Sequence, residues 1–107
     1  MGPRNRSGSP IAKRLREARE LAGLSQRRLG ILAGLDESVA SPRINQYEQG
    51  VHEPSYQTVK QLAKPLGLPA AFFFIEEDEL AAIVAAYATG SPSLRKALHR
   101  TATSDKQ

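Results

Sequence analysis

Apolar residues recur along this chain at three- and four-residue intervals, the spacing of one helix face, and nowhere alternate as in a half-buried strand. The first stripe is Ile11, Leu15, Ala18, Leu21 and Ala22. Ser9 is placed as its cap, Pro10 suits the first helical position and Gly23 is a stop, so a helix is predicted over 10–22. A second, short helix is predicted over 26–33, with Ser25 as cap, Leu29, Leu32 and Ala33 facing inward and Gly34 ending it. Residues 35–41 have weak periodicity and read as a long turn. They lead into Ser41-Pro42, which repeats the cap signature of Ser9-Pro10. The third helix is therefore expected over 42–49, with Gly50 as its stop. A start at Asp36 would place Pro42 inside the helix at a cost of ~3 kcal/mol.

A fourth helix starts at Ser55, with Tyr56, Val59, Leu62 and Ala63 as its inner face, and Pro65 is expected to end it at or before Lys64. A short fifth helix follows over 69–74. The acidic run Glu76, Glu77, Asp78 and Glu79 suits the start of a sixth, whose apolar face is Leu80, Ile83, Val84 and Tyr87 and which Gly90 ends. Residues 93–100 are expected to form a last short helix. The fold class is all-α.

Composition narrows the chemistry. The chain has 107 residues and is 40% hydrophobic, enough for one compact domain with a modest core. It has no cysteine, which removes disulfides, thiolate ligands and cysteine nucleophiles together. The two histidines, His52 and His99, lie far apart, so neither a metal site nor a cofactor is expected, and His52 reads as a loop residue. There is no nucleophile–base pairing and no Gly-rich phosphate loop; Ser25 and Ser41 read as helix caps, and an enzyme is not expected. No apolar run reaches the roughly 18 residues of a membrane span, and no secretory signal is legible. A cytoplasmic, nucleoid-associated protein is the expectation. The net charge is +4 and unevenly spread. Residues 1–34 carry eight Arg and Lys against two Glu, whereas residues 76–107 carry four against five acidic residues. A basic front half suits a polyanion.

An ordered set of short motifs carries a resemblance. It runs Leu15-Arg16-x-x-Arg19, Gly23-Leu24-Ser25-Gln26-x-x-Leu29 and Ala33-Gly34-Leu35. It continues as Ile44-Asn45-Gln46-Tyr47-Glu48-Gln49-Gly50, then Pro54-Ser55-x-x-Thr58-Val59-x-x-Leu62-Ala63 and Leu66-Gly67-Leu68-Pro69. In this order the motifs resemble the lambda-repressor-like family of phage repressors and bacterial regulators, the Cro/C1 or XRE type, over roughly residues 11–74. The resemblance implies a five-helix DNA-binding domain whose helix-turn-helix is formed by the second and third helices.

The same resemblance assigns roles. Ser41, Pro42 and Arg43, at the start of the expected recognition helix, would enter the major groove. Gln46 would read a base, since an amide can pair bidentately with adenine. Gln26, with Arg27 beside it at the start of the second helix, would meet phosphate, and Asn45 and Gln49 would meet phosphate or sugar. Ile44 and Tyr47 would face the core. Glu48, out of place on a DNA-facing helix, would pair with Arg19 of the first helix. One departure is plain: between Gly34 and Ile44 the chain has about four more residues than the usual family turn, which is read as a turn lengthened by residues 36–40.

The expected organisation is a flexible basic arm at 1–9, the helix-turn-helix domain at 10–75 and a helical extension at 76–107. Three adjacent aromatics, Phe72, Phe73 and Phe74, cannot all face inward. Phe73, Phe74, Ile83 and Tyr87 are therefore expected at a homodimer contact, the competing expectation being that the sixth helix folds back on its own core. The function expected is sequence-specific binding of double-stranded DNA by a dimer on a two-fold operator. The alternatives are a DNA-binding antitoxin that mainly neutralises another protein through residues 76–107, and a bridging-factor-like adaptor in which the same fold binds transcription machinery rather than bases.

Overall fold

A computed structural model describes residues 8–104; the expectation for the basic arm falls largely outside them. Six α-helices and one 3₁₀ turn follow one another: α1 (Ile11–Leu21), α2 (Gln26–Leu32), α3 (Glu37–Glu48), α4 (Tyr56–Leu66), the 3₁₀ turn Ala70–Phe74, α5 (Asp78–Thr89) and α6 (Pro92–Ser104). There is no strand among the described residues. The core is drawn from every element before α6. Ile11, Leu15 and Ala18 of α1 meet Leu29, Ile44, Tyr47, Val59, Leu62 and Leu66, and Phe72, Phe73 and Ala81 close it from below.

Most element ends obey local chemistry. Ser25 accepts from Arg28 N at the start of α2, and Ser55 accepts from Thr58 N at the start of α4. In the turn between α2 and α3, Gly34 takes φ +100°, a conformation that a Cβ disfavours. The first helix begins one residue later than expected, with Pro10 as the cap residue and Ser9 Oγ accepting from Ile11 N at 3.3 Å.

Two proline-based expectations are overturned. The third helix does not begin at Pro42, and Ser41 is not its cap. It begins at Glu37, with the Asp36 carboxylate accepting from Ser38 N at 3.0 Å and from the Ser38 hydroxyl. Pro42 is then the sixth helical residue. Its missing N–H leaves the Ser38 carbonyl without a helical donor, and Ser38 is exposed, so water can serve it. The first turn is held instead by packing, because Ala40 is fully buried against Gly30 of α2. The turn of the motif is therefore not lengthened. It is confined to residues 33–36, and the additional residues form one more helical turn at the start of α3. Likewise α4 runs through Pro65 to Leu66, since Leu66 is 8% exposed in the core and Gly67 supplies the left-handed cap at φ +72°.

The aromatic triplet divides. Phe73, expected at a dimer contact, is 1% exposed and packs edge-on against Phe72 at 5.2 Å, so it belongs to the core. Phe74 points outward and lies 6.4 Å from the ring of Tyr56, which Lys60 covers from 4.8 Å. Tyr56 is thus not on the inner face of its helix. Leu21 and Leu32, expected in the core, are also exposed, and Leu24 and Leu35 pack there in their place. The last helix is longer than the expected 93–100 and is capped by Ser91 Oγ, which accepts from Leu94 N.

One buried cation joins α1 to the start of α5. Arg14, 1% exposed on the apolar face of α1, donates to the carbonyls of Ile75 (2.8 Å) and Glu76 (3.0 Å) and pairs with Glu17 and Asp78. Lys13 also pairs with Asp78, and hydrogen bonds from Lys13 and then Arg14 hold that carboxyl below the usual carboxylate range. A depressed folded-state pKa stabilises above the unfolded value of about 3.9 and the contribution disappears as pH falls through the lower folded value. Urea unfolding followed by circular dichroism should therefore show Asp78→Asn less stable than the parent at pH 6, with the gap closing towards pH 2.5.

A Cβ on Gly30 would stand 2.7 Å from Ala40 Cβ and 3.0 Å from its Cα, so α2 and α3 would have to part. Overpacking of this kind costs ~1–3 kcal/mol, against a helix-propensity gain of about 1 kcal/mol. Gly30→Ala is expected to lower the stability measured by urea unfolding by up to about 2 kcal/mol, and adding Ala40→Gly should recover part of the loss.

Candidate nucleic-acid interface

The outer face of α3 is set by its inner one. Ala40, Ile44, Tyr47 and Glu48 are buried, which turns Ser38, Pro42, Asn45 and Gln49, spaced four, three and four apart, to the opposite side with Gln46 beside them. This face has hydrogen-bonding hydroxyl and amide groups, one proline and no charge. Arg43 flanks it, exposed, and shares with Gln46, His52 and Glu53 the wall of a shallow groove of about 360 Å³ between α3 and the loop before α4. Ser41 lies to one side of the helix and is half-buried.

Glu48 fixes how that face is presented. Its side chain is 2% exposed. Arg19 Nε donates to its Oε2 at 2.5 Å and Arg19 Nη2 to its Oε1 at 3.1 Å, a bidentate pair. Arg19 Nη1 also donates to the Leu24 carbonyl at 2.8 Å, and the hydrogen bond with Glu48 is the main cause of its raised pKa. Gln26 Nε2 donates to Glu48 Oε1 at 3.1 Å and to Asn45 Oδ1 at 3.2 Å. One network therefore links α1, the start of α2 and the last turn of α3. It brings Gln26 together with Asn45, both expected at the interface, and engages the Gln26 amide nitrogen inside the protein.

Arg27 is engaged as well. Its guanidinium pairs with Glu37, the first residue of α3. The sequence reading missed Glu37 as a partner because it placed the residue in a turn. It also missed Gly30 and Arg14. The signals were present: a lone glycine inside a helical pattern marks a close approach, and Arg14 falls on the same three- and four-residue spacing as Ile11 and Ala18. Among the described residues, no group of three or more His, Asp or Glu is placed to hold a metal ion, and no helix is long and apolar enough to cross a membrane.

A family model described as a helix-turn-helix domain matches residues 10–71. The chain belongs to the helix-turn-helix transcriptional regulators of the lambda-repressor-like, Cro/C1 (XRE) type. Over 72 residues it is 40% identical to the HTH-type transcriptional regulator PuuR of Escherichia coli (strain K12), and to the same degree to PuuR of Shigella flexneri. The match takes in 67% of this chain and 37% of each relative, so the chain spans little more than a third of the length of the curated relatives it matches. The crystal structure of transcriptional regulator BswR superposes with a TM-score of 0.79 at 41% identity, covering 88% of this chain and 93% of that one. That share extends beyond residues 10–71.

Removing one partner of the Arg19–Glu48 pair leaves the other ion buried without its counter-charge. Arg19→Met and Glu48→Leu are each expected to destabilise by roughly 3 kcal/mol in urea unfolding, and the double variant by clearly less than the sum of the two.

Proposed function

We propose that this protein binds double-stranded DNA in a sequence-dependent way, with α3 in the major groove, and regulates transcription as a homodimer on a two-fold operator. The observation that carries the reading is the uncharged amide and hydroxyl face of α3, held in register by the Arg19–Glu48–Gln26 network. Amides suit base edges: Gln46 offers donor and acceptor together, as adenine requires, whereas Asn45, whose Oδ1 accepts from Gln26, is left to phosphate or sugar. Pro42 can offer only apolar contact, such as to a thymine methyl. Ser41, Arg43 and Gln49 border the same face, and Gln26 and Arg27 stand where the phosphate backbone would pass. The helix-turn-helix domain is taken as residues 10–75, with the rest as its extension, acting in the bacterial cytoplasm.

The extension supports self-association. α6 is 13 residues long with no buried residue, and isolated helices of that length are marginal in water. Phe74, Leu80, Ile83 and Tyr87 are all exposed, and Ile83 and Tyr87 border an apolar groove of about 500 Å³ that Leu98 of α6 also lines. Glu76 and Glu77 lead into α5 and Asp78 and Glu79 open it, whereas α6 carries Arg95, Lys96 and Arg100. A second copy could match apolar to apolar and acid to base. The same exposed surface favours the other reading, in which the extension holds a protein partner, as in an antitoxin.

Selection of random duplexes by the purified protein at physiological salt should enrich a two-fold motif with half-sites about 34 Å apart. Binding to random sequence alone, vanishing as salt rises, would leave only electrostatic attraction and move the weight to the protein-partner reading. On the selected site, Gln46→Ala should cost ~1–3 kcal/mol and relax preference at one base pair, whereas Gln26→Ala should weaken all duplexes alike. An equal loss on every sequence for Gln46→Ala would remove it from base reading.

A further inference from the structure

The additional turn of α3 brings two carboxylates, Asp36 and Glu37, to the end of the helix that would enter the groove. Negative charge beside a phosphate backbone opposes binding. Asp36 is committed as the helix cap, where hydrogen bonds from Ser38 keep its carboxyl below the usual range. Glu37 has no such local duty. It reaches across the turn to Arg27 of α2. The two side chains are 56% and 66% exposed, and an ion pair that open to water contributes little to folding. Its effect lies in the charge presented: it occupies a guanidinium at the edge of the reading face and sets an anion next to it.

We infer that Glu37 is a positioning residue that restrains Arg27, withdrawing one cation from the phosphate backbone and so lowering the sequence-independent part of DNA affinity. This rests on the DNA-binding reading above. Backbone contacts supply affinity for every duplex, whereas the base-facing side chains supply preference. The restraint therefore acts on all duplexes by the same factor and leaves the preferred motif unchanged. Ser38, one turn before Pro42 on the outer face, keeps its place because its backbone N–H is held by Asp36 and not by Glu37.

The test is fluorescence anisotropy with the full chain on the selected duplex and on a scrambled one, from 50 to 300 mM salt. Glu37→Gln should tighten binding to both by roughly three- to tenfold and steepen the slope of log K against log salt by about 0.9, the signature of one more phosphate contact. Arg27→Gln placed in the Glu37→Gln background should abolish that gain. Arg27→Gln in the parent should cost less than it does in that background. An unchanged slope overturns the restraint, and so does a loss confined to the selected duplex, which would make Glu37 a base contact. If the parent binds no duplex at any salt, the DNA-binding reading fails and takes this one with it; a parent that binds while Glu37→Gln shifts nothing removes the restraint alone.

Discussion

A carboxylate in the core of a small helical protein must be supplied with donors, and Glu48 receives three hydrogen bonds, two from Arg19 and one from Gln26. The demand is reciprocal. Arg19 is itself largely buried, and its Nη1 donates to the Leu24 carbonyl in the loop before α2. Because each group would be costly to leave alone, the three helices that contribute them are tied to one mutual arrangement. The uncharged side of α3 follows from this, since the buried side is occupied by Ile44, Tyr47 and the paired carboxylate.

The other constraint on α3 is steric. Gly30 lets the backbone of α2 approach Ala40, and that contact anchors a helical turn that proline chemistry alone argues against. The balance is one of magnitudes. Pro42 removes a single hydrogen bond at an exposed carbonyl, which water can replace. Burial of Ala40, the Asp36 cap and an acidic first turn aligned with the helix dipole together favour the longer helix. The result is an α3 one turn longer at its start, bearing Glu37 opposite Arg27.

Helices α5 and α6 are built on different terms. Their junction with α1 is local: the buried Arg14 guanidinium answers the backbone carbonyls of Ile75 and Glu76 and the carboxylate of Asp78 at the start of α5. Beyond Ala81 little of α5 is buried, and nothing of α6 is. The helix pair is thus anchored at one end, with Leu80, Ile83, Tyr87 and Leu94 exposed.

Helix number, order and all-α class were legible in the sequence, because they follow from spacing, caps and stops that act within a few residues. The Arg19–Glu48 contact and the amide-rich face of α3 were legible through the family resemblance and the three-residue spacing of Ile44 and Tyr47. Three things were not. Ser41-Pro42 has the same cap signature as Ser9-Pro10, and only the contact with Gly30, which lies in another helix, decides that α3 starts five residues earlier. The inward choice among Phe72, Phe73 and Phe74 depends on where α1 and α4 stand. Arg14 looks like one more basic residue until the chain beyond the 3₁₀ turn places two carbonyls against it. Local hydrogen bonding and periodicity belong to the sequence; close approach between helices, and the burial of charge it permits, belong to the tertiary structure, because they depend on residues far apart in the chain.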